Sequence, residues 1–169
     1  KKQGKNFAAA FIGTALEFYD FALFGLLAPI FSQQFFPKED AIAALIASYS
    51  IFAAGFLIRP LGGIVFGYIG DTFGRKKALV ISIIAMMVPT SLIGCLPTYG
   101  QIGLLAPIAL ALCRLIQGLC AGGEFSGAAI FVIEHAHEKR KYFSGSLVTA
   151  SSVVGMLAAS SMASLFAIN

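Results

Sequence analysis

Charge is scarce in this chain, and tryptophan is absent. Only 12% of its 169 residues are Asp, Glu, Lys or Arg, about half the usual share of a soluble domain. With 58% hydrophobic residues and a mean hydropathy of +0.85, that scarcity argues for a membrane protein. The net charge of +4 does not point to nucleic acid, because the cations punctuate apolar runs instead of covering one solvated surface. Cysteine is also rare. Cys95, Cys113 and Cys120 make an odd count without a CxxC pair, which argues against a disulfide framework and for small buried apolar side chains. The two histidines, His135 and His137, are spaced i,i+2 and point apart on a helix, so no metal is expected. There is no GxSxG, HExxH or P-loop. The chain is therefore expected not to be an enzyme and to need no cofactor. Its first apolar segment is too long for the core of a cleavable signal.

Long apolar runs are what the sequence has instead. Crossing the hydrocarbon core takes ~20 helical residues, and five segments qualify, at about 7–32, 41–69, 77–97, 103–134 and 142–167. The expected fold class is all-α, a polytopic membrane helical bundle. Pro29, Pro60, Pro89 and Pro107 fall in or near these segments, where neighbouring helices can satisfy the freed carbonyls. Lys1, Lys2 and Lys5, then Arg75 to Lys77, then Lys139 to Lys141 place nine basic residues at one set of ends, against Lys38 at the other. The positive-inside rule then puts the N-terminus and both basic loops in the cytoplasm and the C-terminus outside. The expected location is the cell (inner) membrane, multi-pass, with the lipid bilayer as surroundings.

Glu17 and Asp20 lie in the middle of the first span, three residues apart, so they share a helix face with Cβ atoms ~5–6 Å apart. An ionisable group at that depth costs ~2.5–3.5 kcal/mol on the insertion scale and is functional by default. Arg114 sits at similar depth in the fourth span. Its guanidinium stays charged, with five donors to satisfy. The expectation is an Asp20–Arg114 pair with Asp20 as the proton-coupling acid and Glu17 as the alternative. A carboxylate whose cationic neighbour comes and goes changes its proton affinity. The competing account is a permanent structural ion pair between helices. Glu124 lies ten residues past Arg114, ~15 Å along the helix, among glycines repeating at four-residue spacing (Gly118/Gly122 and Gly123/Gly127) that suit close packing. Arg59 is its expected partner, in a structural or gating charge pair. Phe18, Tyr19, Phe21 and Phe24 surround the acids. Such rings usually face lipid or other helices. They can also hold a quaternary ammonium, and Tyr19 is the strongest candidate substrate contact because its hydroxyl needs a partner.

The stretch RPLGGIVFGYIGDTFGRKK, Arg59 to Lys77, joins the second and third spans. Asp71 is expected in the turn, capping a helix end. The pattern Gly67-x-x-x-Asp71-x-x-Gly74-Arg75-Lys76 resembles the loop between helices 2 and 3 of major facilitator superfamily transporters. GTALEFYDFALFG at 13–25 and RLIQGLCAGGEFSGA at 114–128 resemble the first and fourth helices of its metabolite:proton symporter branch, the proline/betaine, shikimate, citrate and 2-oxoglutarate carriers. Thr72, where a basic residue is common, and Phe18, where Trp is usual, depart from the pattern. The resemblance implies a twelve-helix carrier made of two six-helix halves, of which 1–169 would be a partial N-terminal transmembrane domain. The sixth helix and the C-terminal half are then missing partners. It implies a cytoplasmic gate at Gly67, Asp71, Gly74, Arg75 and Lys76. It also matches the helix-1 acid and helix-4 arginine of sugar:proton relatives. The fifth span lacks the Gly-Pro pair of the drug:proton antiporter branch, which favours symport.

The expected function is proton-coupled symport of a small organic solute, a carboxylate or zwitterion such as proline, betaine or an oxo-acid, by alternating access. Arg114 would receive the carboxylate. The alternative is a non-transporting membrane module that associates with another membrane chain, since five helices alone do not build a two-half cavity.

Overall fold

In the computed structural model, which describes residues 2–136 and 141–168, the described residues are helical apart from short connectors. The helices are α1 (Lys2–Phe35), α2 (Ala41–Leu57), α3 (Arg59–Phe73), α4 (Arg75–Cys95), α5 (Tyr99–Ile102), α6 (Leu105–His135) and α7 (Lys141–Ile168). Five stretches are long and apolar enough to cross a membrane: Ala10–Phe35, Ala41–Phe73, Arg75–Cys95, Leu105–Glu134 and Lys141–Leu165. The second is α2 and α3 run together. The protein is thus an all-α bundle of five membrane-length helices. The N-terminal Lys1, and His137, Lys139 and Arg140 of the second basic loop, lie outside the described residues.

Local chemistry sets where the helices break. Asp40 caps α2, its carboxylate accepting from the N–H groups of Ile42 and Ala43 at 3.0 Å each. Pro60 carries no N–H and its ring crowds the carbonyl four residues back. The ladder therefore loosens at Ile58, which separates α2 from α3. Helix α3 runs on to Phe73, so Asp71 lies within its last turn and not in the turn beyond. The break is one residue, Gly74, whose φ of +98° is strained for any side chain, and α4 starts at once with no side-chain cap. Residues 99–102, expected as plain connector, wind into α5, where the Gln101 side chain accepts from the Thr98 N–H at 3.1 Å.

Packing centres on α6, whose most apolar stretch is 44% buried against 17–28% for the other spans. Glycines bring it into backbone contact with the second crossing. A Cβ on Gly118 would strike the carbonyl of Gly55, one on Gly122 the carbonyl of Arg59, and one on Gly62 the carbonyl of Leu119. Gly123 is tight against Phe66, whereas Gly127 faces open space, so the second of the two small-residue pairs is only half used. Helix α7 seats Gly155 against the backbone of α1 at Ala15 and Tyr19. Large apolar residues such as Ile42, Leu57 and Ile64 stay exposed on the outside, as expected of a surface in contact with lipid.

Candidate functional site

Arg114 is fully enclosed, at 0% exposure. Its Nη1 donates to Asp20 Oδ2 at 3.2 Å and to Gln117 Oε1 at 2.9 Å, and its Nη2 donates to the Phe21 carbonyl at 3.3 Å. The rings of Phe24 and Phe21 lie 4.1 and 4.5 Å from the guanidinium carbon, close enough for cation–π attraction. Gln117 sits one turn from Arg114 on the same face of α6. Its amide donates to Asp20 Oδ2 at 3.0 Å and to Thr90 Oγ1 at 2.7 Å. Thr90 in turn donates to the Met86 carbonyl at 3.0 Å, in the turn of α4 that holds Pro89. One carboxylate oxygen thus ties α1 to α6, and the glutamine carries the network on to α4. Asp20 is 23% exposed at its side chain and Arg114 0%, so the acid is the more open member of the pair.

A second ion pair lies beside the first. Arg59 Nη2 is 3.6 Å from Glu17 Oε1, and its guanidinium carbon lies 4.2 Å from the Phe21 ring and 4.6 Å from that of Phe56. Both guanidiniums therefore rest on the ring of Phe21. The expected Arg59–Glu124 pair is not made: Arg59 turns to α1. The reason is rotational. Gly122 is the residue of α6 that meets the Arg59 backbone, and Glu124, two residues on, projects about 200° away. Glu124 instead points at α1, its Oε1 3.1 Å from where a Cβ on Gly13 would stand.

These groups border two clefts between α1, α4 and α6. One, of about 330 Å³, is lined by Asp20, Phe24, Thr90 and Arg114 together with apolar residues. The other, of about 370 Å³, is lined by Glu17, Tyr19, Asp20, Thr90 and Glu124 among others. Asp20 and Thr90 are common to both. The structure therefore gathers Glu17, Tyr19, Asp20, Arg114, Arg59 and Glu124 into one region. Gln117 and Thr90 were not singled out from sequence. The i,i+3 spacing of Gln117 from a buried arginine was the available signal for the first, and nothing marked the second.

The loop motif stands apart from this region. Asp71 Oδ1 and Arg75 Nη2 pair at 2.6 Å across Gly74, and the Arg75 side chain lies over Gly70, where a Cβ would come within 3.3 Å of it. Gly67 has no neighbour within 4 Å of a Cβ position, and Lys76 is exposed. Cys113 and Cys120 are buried and Cys95 is exposed, all as free thiols. Among the described residues no group of three or more His, Cys, Asp or Glu is arranged to hold a metal.

The model of the family described as sugar (and other) transporter matches residues 5–169. The chain belongs to that family. Its resemblance to the proline/betaine and shikimate branch of the major facilitator superfamily is matched by curated relatives. It is 42% identical over 156 residues to the proline/betaine transporter of Salmonella typhimurium, covering 92% of this chain and 31% of that protein. It is 43% identical over 153 residues to the glycine betaine/proline/ectoine/pipecolic acid transporter of Dickeya dadantii, covering 90% and 30%. With the shikimate transporter of Escherichia coli K12 it shares 41% over 157 residues, covering 92% and 36%. The chain therefore spans about a third of the length of the curated relatives it matches. No solved structure matches it significantly. Membership makes this a multi-pass membrane chain related to solute transporters, and its relatives are transporters, not enzymes.

Proposed function

We propose that this chain forms part of a proton-coupled symporter that carries a small carboxylate or zwitterion, of the proline, betaine or oxo-acid kind, by alternating access. The observation that carries this is the Arg114–Asp20 contact at 3.2 Å, a fully enclosed cation against an acid open to a cleft. Protonating Asp20 would cancel its attraction for the guanidinium and free Arg114 to receive a solute carboxylate. A pair that forms and parts in this way couples proton binding to solute binding. Glu17, already engaged by Arg59, is the alternative proton site, and Tyr19 is a contact for the solute where it lines the neighbouring cleft. Gly67, Asp71, Gly74, Arg75 and Lys76 would gate the cytoplasmic side, in a protein of the cell (inner) membrane with its N-terminus in the cytoplasm. A C-terminal half, as in the longer relatives, would complete the cavity.

The test is uptake by the carrier that contains this chain, in proteoliposomes, with and without a pH gradient, across a panel of carboxylates and betaines. A pH gradient should drive accumulation of at least one. Asp20→Asn should abolish accumulation while leaving exchange of solute across the membrane. Accumulation that ignores the gradient for every transported solute would remove the coupling role, and full accumulation by Asp20→Asn would move it elsewhere.

A further inference from the structure

Five ionisable side chains meet inside the bundle, and their charges do not cancel. Asp20 is matched by Arg114 at 3.2 Å and Glu17 by Arg59 at 3.6 Å. Glu124 is the remainder. It is 2% exposed, its Oε2 makes no hydrogen bond, and no ion pair reaches it among the described residues. Among the described residues, the elements around it offer no spare cation. Helix α1 presents Glu17, Tyr19 and Asp20. Helix α3 presents Arg59, already turned to Glu17, and α6 itself carries Arg114, already turned to Asp20, and the Cys120 thiol. Helix α4 lines the cleft with Ile83, Met86, Met87, Thr90 and Ser91 and has no charged residue after Lys77. Helices α2 and α7 have none between Asp40 and Arg59 or after Lys141. Three carboxylates therefore face two guanidiniums, and Glu124 and Glu17 are enclosed at 2% and 1% exposure. An isolated ionised carboxylate in such surroundings is neutralised rather than kept charged.

We infer that Glu124 binds a proton of its own at the Gly13–Glu17 end of the cleft, separate from the Asp20 site. The carboxylate takes H⁺ from water in the cleft, one O–H bond forms on the Glu124 side chain, and the proton returns to water by the same route. The surroundings suit a neutral acid. Glu17 Oε1 and Oε2 are also buried without hydrogen-bond partners, and Glu17 lines the same cleft as Glu124, so an acceptor for the new O–H faces the same space. A metal ion would not serve in place of the proton, since the acids here are not arranged around one point. The inference stands on the charge count and does not need the role proposed for Asp20.

The decisive measurement is infrared difference spectroscopy, wild type minus variant, of the purified carrier that contains this chain, in lipid vesicles at neutral pH, reading the carbonyl stretch of protonated carboxyl groups. The wild type should show a band from one protonated carboxyl. Glu124→Gln should remove it. Arg59→Gln, which strips Glu17 of its counter-charge, should add a second protonated carboxyl to the band, and Glu124→Gln in that background should remove only one of the two. Should Glu124→Gln fail to fold, Glu124→Asp keeps an acid in place and should shift the frequency of the band. No band in the wild type, or a band unchanged in both Glu124 variants, overturns the proposal. Uptake that ignored the pH gradient would remove the Asp20 mechanism and leave this proposal intact, because the band is read without solute or gradient.

Discussion

Removing the charge of Asp20 should destabilise the bundle by a calculable amount, and removing that of Arg114 as well should add little to the loss. Unit charges 3.2 Å apart attract by about 5 kcal/mol at an effective dielectric constant of about 20. That attraction offsets the cost of enclosing the guanidinium, and breaking such a pair by removing one partner typically costs ~3–5 kcal/mol. Asp20→Asn keeps a carbonyl acceptor for Arg114, and Gln117, the Phe21 carbonyl and two aromatic rings remain in place. The expected loss is therefore at the low end, about 3 kcal/mol. Arg114→Met leaves Asp20 with the Gln117 amide and access to the cleft, so about 3 kcal/mol is expected there too. The double variant contains neither charge and should lose only about 3 kcal/mol in all. The implied coupling of about 3 kcal/mol lies at the upper end for residues in direct contact. Denaturant titration of the purified chain in detergent, followed by circular dichroism, would measure all three variants. Losses that simply add would refute the claim that these two side chains hold each other in place.

Two further outcomes follow from the packing and the loop. Gly118→Ala and Gly122→Ala should each cost about 1–3 kcal/mol, the usual penalty of forcing atoms into a filled interface, because their new methyl groups meet the backbone of the second crossing. Gly127→Ala, with open space around it, should be neutral or gain about 0.5–1 kcal/mol from helix propensity. Thermal melting of the three variants side by side would check the contrast. Asp71→Asn should change stability by less than about 1 kcal/mol, since its pair with Arg75 lies at the surface, with side-chain exposures of 68% and 30%. If the loop gates transport, the same substitution should nevertheless slow uptake by the full carrier. Equal rates for variant and wild type would leave the pair a local clasp.

Placing both guanidiniums on Phe21 has a consequence for any motion in this region. The ring is 5% exposed and sits between Arg59 and Arg114. A displacement of either cation therefore changes the contact surface of the other. The Asp20–Arg114 pair, expected from the sequence, and the Glu17–Arg59 pair, which was not, are neighbours joined through one aromatic side chain.

Much of this was legible before any coordinates. The five membrane-length helices and the presence of Glu17, Asp20 and Arg114 inside them follow from the sequence alone, because the cost of placing a residue in hydrocarbon depends on that residue and its depth. Pro60 was expected to be tolerated inside one continuous second crossing, whereas its missing N–H loosens the helix at Ile58. The extension of α3 through Asp71 was not legible: a polar residue near a run of glycines reads as turn, yet a single left-handed Gly74 was enough to end the helix. The partners of the buried charges were only half legible. Depth brought Asp20 and Arg114 together. Which acid Arg59 would reach depended on how far each helix is turned about its own axis. The backbone contacts at Gly118 and Gly122 set that rotation, and they direct Arg59 to Glu17 while leaving Glu124 on another face of α6. Sequence determines how deep each charge lies, one segment at a time. Only the packed helices decide which charge it faces, because that requires the orientation of two segments at once.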